Sequence, residues 1–275
     1  MANDLELLKI MSGGVCIPGN RSCGSSDDIA MPPSKPHEAQ EFSDHTREVM
    51  ALKAQWSGKT FRCSANAFAD GTKQKLIHWQ RHGQGTHNLA AEQHGPEAYK
   101  DEAVADARLT TLGREQAKAQ QATTTAFEEV ELVVCSPLSR ATETALISWA
   151  HLVDKRVPFL AVEHCREQIG LNLCDRRRSV AELREDYPTV DYGCLESEDD
   201  ALWTPERETK LAMAHRGEKM LDWLQARPED TMAVVCHSAF LLALCNVVLE
   251  PLPGEEALSN WFETGEIRSM HVAFD

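Results

Sequence analysis

The chain has 275 residues, 42% of them apolar and 26% charged, enough for one large α/β domain or two small ones and typical of ordinary soluble proteins. A formal net charge of −15 argues against a general nucleic-acid or membrane-surface binder, because such partners reward a basic face; an anionic ligand must then be drawn by a local basic pocket. Nine cysteines without a C-x-x-C pair argue against a zinc ribbon or a disulfide framework and for a reducing, cytoplasmic setting, and the apolar run at 239–249 is too short to cross a bilayer.

Residues 1–45 mix Gly, Ser, Pro and charge without periodicity, as in GNRSCGSSDD and MPPSKPHE, and are expected to form a flexible N-terminal extension to a single domain over 46–275. The opening MANDLELLKI carries early acids and no long apolar stretch, unlike a secretory signal or an Arg-rich transit peptide. Short β-rich runs then follow at 75–79 (KLIHW), 131–135 (ELVVC), 158–163 (PFLAVE) and 232–236 (MAVVC). Helical patterns at 112–128, 139–153, 179–187, 206–226 and 239–249 alternate with them. The alternation predicts an α/β fold with a mainly parallel central sheet sandwiched between helices, and RSMHVAF at 268–274 adds a final strand.

In such a sheet, ligands gather beyond the carboxyl ends of the strands. KLIHW runs into QRHGQGTHN, ELVVC into SPLSRATETA, PFLAVE into HCREQIG, and MAVVC into HSAF. These ends deliver Arg81, His82, Arg140, Glu167 and His237, a chemically coherent set. Phosphoryl transfer needs an in-line nucleophile, cations facing three equatorial oxygens, and an acid for the departing alcohol. A neutral His82 can be the nucleophile, Arg81 and Arg140 can fork onto phosphate oxygens, and a protonated His237 adds a donor. Glu167 can carry the proton if its acid form is kept available. Gly83 and Gly85 let backbone approach an anion, and Ser238 opens a helix whose amides face it.

Each residue also has a plainer reading. Arg140 can be the surface ion-pair partner of Glu143, and Glu167 a solvated loop acid. Cys135 and Arg140 share one loop, as in cysteine-based phosphatases, but only SPLS separates them where that cradle needs five residues. His87, His94, Asp101 and Glu102 lack metal-ligand spacing, so neither a metal nor another cofactor is expected. Arg176, Arg177 and Arg178 form either a solvated basic turn or a reader of a second anionic group on the substrate.

From RHGQGTHN onward, the pattern resembles the phosphoglycerate-mutase-like branch of the histidine phosphatase superfamily. DARLTTLGREQA at 106–117, CSPLSRATETA at 135–145, CREQIG at 165–170 and VVCHSAF at 234–240 follow in the family's order. NLCDRRRSVAELREDYPTVDY, LESEDDALW and WFETGEIRS extend the likeness toward plant and fungal mutase-like proteins, so that it covers roughly residues 74–272. The resemblance implies a phosphoglycerate-mutase-like fold and a metal-independent phosphatase acting on small phosphorylated metabolites. It further implies His82 as the nucleophile, Glu167 as the acid, and His237 completing a pocket in which Arg81, Arg140, Asn88 and the Ser238 amide hold phosphate. Ala239 departs from the glycine that many members carry after HS, which bears on pocket shape and not on the chemistry. A mutase that returns the phosphate, or a silent anion-binding scaffold, would use the same residues. The oligomeric state and the natural substrate are left open.

Overall fold

The computed structural model describes residues 47–274, and the extension expected at 1–45 lies outside them. Strands β1 (Phe61–Ser64), β2 (Gln74–Arg81), β3 (Leu132–Cys135), β4 (Phe159–Ala161), β5 (Thr231–Cys236), β6 (Leu249–Pro251) and β7 (Ile267–Ala273) form one sheet in the order β4-β3-β5-β2-β7-β1-β6. The block β4-β3-β5-β2 is parallel, as is β1 with β6, while β7 runs antiparallel to both β2 and β1. The sheet is therefore mixed, and the expected parallel pairing holds over β4-β3-β5-β2.

Every residue of β3 is buried, as is all of β5 after its first residue, because helices cover both faces. The period of two then sorts side chains between layers. Leu132, Val134, Met232 and Val234 join Ile77 and Trp79 on one face, against Met213, Leu221 and Phe240. Val133, Cys135, Ala233 and Val235 face the other way, onto Ala141, Ala145 and Trp149.

The helices are α1 (Thr86–His94), α2 (Thr111–Ala119), α3 (Gln121–Thr124), α4 (Ser139–Ser148), α5 (Ala150–Asp154), α6 (Val180–Asp186), α7 (Lys210–Ala226) and α8 (Ser238–Ala243). Several differ from the sequence reading. The helix expected over 112–128 is two helices meeting at Gln120. The one over 139–153 divides at Trp149, whose φ of −106° and ψ of 24° leave the helical ladder while its indole N–H donates to Gln80 Oε1 at 2.9 Å. α7 starts at Lys210 because the Thr209 hydroxyl caps it, accepting from Ala212 N at 3.1 Å. The apolar run at 239–249 is α8, then a π turn over Leu244–Val248, then the start of β6.

Candidate active site

β2 and β5 are parallel neighbours, and His82 N donates to Cys236 O at 3.0 Å, carrying their pairing one step beyond the strands. His82 and His237 thus emerge side by side, with ring centroids 5.0 Å apart. His82 is only 1% exposed, and its Nδ1 lies 2.6 Å from the Gly83 carbonyl oxygen. A carbonyl can only accept, so Nδ1 carries the proton and Nε2 keeps its lone pair. Arg140 Nε donates to that Nε2 at 3.3 Å. Burial first, then Arg140 and Arg81, push the imidazole pKa well below 6.5, so the ring is neutral. Gly83 is required by close approach, since a Cβ there would lie 2.4 Å from the Gly113 carbonyl oxygen.

Arg140, on the first turn of α4, is fully buried. Its Nη1 donates to Cys174 O at 2.6 Å and its Nη2 to Asp175 Oδ1 at 2.7 Å, while Asp175 Oδ2 accepts from Arg207 at 2.8 Å. Asp175 therefore sets the angle of the fork. Arg81 is anchored by donating to Phe262 O at 2.7 Å and lies 5.3 Å from the Trp261 ring centre. Its Nε is buried with no hydrogen-bond partner, as is His237 Nδ1, while His237 Nε2 lies 2.8 Å from Ser136 Oγ. Buried unpaired polar atoms are costly, and two of them beside a neutral imidazole and two arginines make a seat suited to an anion.

Glu167 follows β4 and is 8% exposed. Oε1 accepts from Gln168 N at 2.9 Å, and Oε2 accepts from Ala239 N at 3.2 Å and lies 3.5 Å from Ser238 Oγ. The acid is thus tied to the first turn of α8, and its charge acts on both Arg81 and Arg140. Neutral imidazole, two phosphate forks and a carboxyl converge as phosphoryl transfer requires.

Residues 77–271 match the model of the histidine phosphatase superfamily, branch 1. The chain belongs to that family. Among curated proteins it is 37% identical over 199 residues to the Phosphoglycerate mutase-like protein of Arabidopsis thaliana, covering 62% of this chain and 73% of that one. It is 32% identical over 229 residues to Phosphoglycerate mutase-like protein 1 of the same plant, covering 72% and 81%. Among solved structures, the alpha-ribazole phosphatase from Shigella flexneri aligns with a TM-score of 0.47 at 20% identity, over 70% of this chain and 89% of that one.

Against this histidine phosphatase pocket, the remaining expected residues divide. Asn88 Oδ1 caps α1 by accepting from Gly85 N at 2.9 Å, so its oxygen is committed to the helix, and with Tyr99 it lines a cleft. Ser238 opens α8 and directs its hydroxyl to Glu167. Of the arginine run, expected to read a second anion through at least one member, Arg177 is excluded from that role. Arg177 is 3% exposed and donates to Glu163 and to the carbonyls of Arg178, Ser197, Glu198 and Asp199, which uses its whole fork. Arg178 donates to Asp106 at 3.0 Å, Asp186 at 2.6 Å and Ser139 Oγ at 3.0 Å. Arg177 was bound to be paired, because a guanidinium taken out of water needs carboxylate or carbonyl partners. Arg176 alone is exposed, with its guanidinium 5.5 Å from the Trp203 ring centre. Cys135 is fully buried, and burial pushes its thiol up to about 12, the opposite of an activated nucleophile. Among the described residues no group of three or more His, Cys, Asp or Glu is placed to hold a metal ion, and no helix is long and apolar enough to cross a membrane.

Three contributors escaped the sequence reading. Asp175 was noticed only as the head of the arginine run, and its partner Arg140 lies 35 residues away. Arg216, on α7, donates to the carbonyls of His164, Arg166 and Glu167 at 3.0, 2.7 and 2.9 Å, holding the loop that carries the acid. His87 is 6% exposed, with its ring 5.7 Å from that of His82. The HN pair was the signal available for it.

Proposed function

We propose that the protein is a metal-independent phosphatase that hydrolyses phosphate monoesters of small metabolites through a phosphohistidine on His82. The observation that carries this is the His82 tautomer: the Gly83 carbonyl holds the proton on Nδ1, so Nε2 is the unprotonated nitrogen, and it accepts from Arg140 Nε, a donor that a bound phosphate would take over. In the first half-reaction Nε2 forms a bond to phosphorus as the ester P–O bond breaks, and Glu167 in its acid form gives its proton to the leaving alkoxide. In the second, water attacks phosphorus, the P–N bond breaks, and the water proton passes to the Glu167 carboxylate as phosphate leaves. Arg81 and Arg140, with His237 and the start of α8 at Ser238, balance the charge on the equatorial oxygens. The free, mostly buried cysteines of the described residues fit a reducing compartment such as the cytoplasm.

His82→Ala should abolish turnover with the fold intact, and acid-quenched wild-type enzyme should carry acid-labile phosphate. Activity should persist in excess chelator. Comparable turnover by His82→Ala, or strict dependence on an added divalent cation, would refute the mechanism. The names of the plant relatives, phosphoglycerate mutase-like proteins, favour a second outcome, return of the phosphate to the departing alcohol. Isomerisation of a phosphoglycerate without release of inorganic phosphate would establish it.

A further inference from the structure

The phosphate seat accounts for His82, His237, Arg81 and Arg140, but one wall of the pocket is built from residues it does not use. His87 stands on the first turn of α1, its ring 5.7 Å from His82 on one side and 5.7 Å from Tyr99 on the other. Its Nδ1 is buried without a hydrogen-bond partner. Gly85 makes room for it, since a Cβ there would lie 2.5 Å from that Nδ1. Tyr99 is half-buried, and Arg81 and Asp175 lie near enough for their charges to act on its hydroxyl. Asn88 and Tyr99 also line a cleft of about 310 Å³ with Ala91, Glu92 and Pro96. The cleft therefore offers a phenol and an amide, with the His87 imidazole beside the phenol, and the one charged residue lining it is Glu92.

Apart from Arg176, the arginines of the surrounding segments that the phosphate seat does not use are already engaged. Arg108 pairs with Asp186 and Glu143, Arg114 with Glu143, Arg177 with Glu163, Arg178 with Asp106 and Asp186, and Arg207 with Asp175. A second anionic group on the substrate would meet Glu92 and neutral donors, whereas hydroxyl groups both donate to and accept from such a wall. Burial and then Arg140 also hold His87 neutral, so it too offers one donor and one acceptor.

We propose that His87, Asn88 and Tyr99 form the leaving-group subsite and that the group they hold is an uncharged, hydroxyl-bearing alcohol of the polyol or sugar class, not one carrying a carboxylate or second phosphate. This rests on phosphate sitting at His82, Arg81 and Arg140. The test uses two esters on one three-carbon frame, glycerol 3-phosphate and 3-phosphoglycerate, which differ by a hydroxymethyl group against a carboxylate. Their Kd values are measured by calorimetry on His82→Ala, which leaves both esters intact, and their inhibition constants against an aryl phosphate are measured on the wild type in case the variant misfolds. Glycerol 3-phosphate should bind tighter by about tenfold, the size of one net hydrogen bond, and Tyr99→Phe should shrink the preference to roughly threefold or less. Equal or tighter binding of 3-phosphoglycerate overturns the proposal, and loss of that binding in Arg176→Ala would return the second-anion role to the exposed arginine. Wild-type enzyme that binds with the expected preference yet releases no phosphate from any ester supports the subsite and overturns the hydrolase reading alone.

Discussion

Arg216→Lys tests whether the acid is held in place from behind. The Arg216 guanidinium donates to Glu208 through Nε at 3.0 Å and Nη2 at 2.7 Å, and its remaining hydrogens go to the carbonyls of His164, Arg166 and Glu167. Glu208 closes the clamp, since its Oε2 also accepts from Ile169 N at 3.0 Å, two residues past the acid. The guanidinium carbon lies 5.3 Å from the Phe240 ring centre, so the same side chain braces α8, whose first turn donates to Glu167. Lysine keeps the charge but has three donors and no planar fork, so about two hydrogen bonds are lost, or roughly 1–3 kcal/mol of stability. In a domain of this size that lowers Tm by roughly 3–10 °C. The Glu167 backbone is then free to shift, and a displacement of about 1 Å at a reacting group costs on the order of a hundredfold. We expect kcat/KM for an alkyl phosphate to fall about ten- to a hundredfold, while an aryl phosphate, whose leaving group departs without a proton, falls less than about threefold. In a Glu167→Gln background, Arg216→Lys should add almost nothing on the alkyl ester. Equal losses on both esters, or full additivity with Glu167→Gln, would show that Arg216 stabilises the fold without positioning the acid.

Two further outcomes follow from the buried charges. Arg177→Ala removes one of the two guanidinium partners of Glu163, Arg166 keeping the other, and leaves a set of carbonyls without their donor; it should cost on the order of 1–3 kcal/mol, seen as a drop in the urea midpoint, with KM ratios between mono- and bisphosphate substrates unchanged. A selective rise in KM for the bisphosphate with normal stability would restore its substrate role. His78, held down to about 4 by burial and then by His271, binds fewer protons folded than unfolded below 6.5, so stability should fall as pH drops from 6.5 toward 4. This one group contributes about 2 kcal/mol of loss by pH 5. His78→Gln should remove that share of the pH 7 to pH 5 difference in urea unfolding, and an unchanged difference would rule the group out.

What could be read in advance follows from where each interaction closes. The four runs ending in Trp79, Cys135, Glu163 and Cys236 were legible because strands buried on both faces are continuous apolar stretches, and the residues that follow them include Arg81, His82, Arg140, Glu167 and His237. β1 was not legible: FRCS is four residues long and half polar, and its pairing with β7 and β6 reaches about two hundred residues ahead. The direction of β7 was equally hidden, because alternation sets which side chains face the core and says nothing of parallel or antiparallel pairing. α1 has almost no apolar face; it is fixed by Gly85 and the Asn88 cap and by what packs on His87, all of which depend on the pocket already existing. The arginine run shows the same limit in its sharpest form. Charge density located it beside the site, yet its fate was decided by Glu163, Asp106, Asp186 and the 197–199 carbonyls, up to 72 residues away in the chain. A guanidinium is a substrate reader only if the fold leaves part of its fork unspent, and for Arg177 the fold spends all of it, which is why charge near a site is weaker information than the count of donors left over.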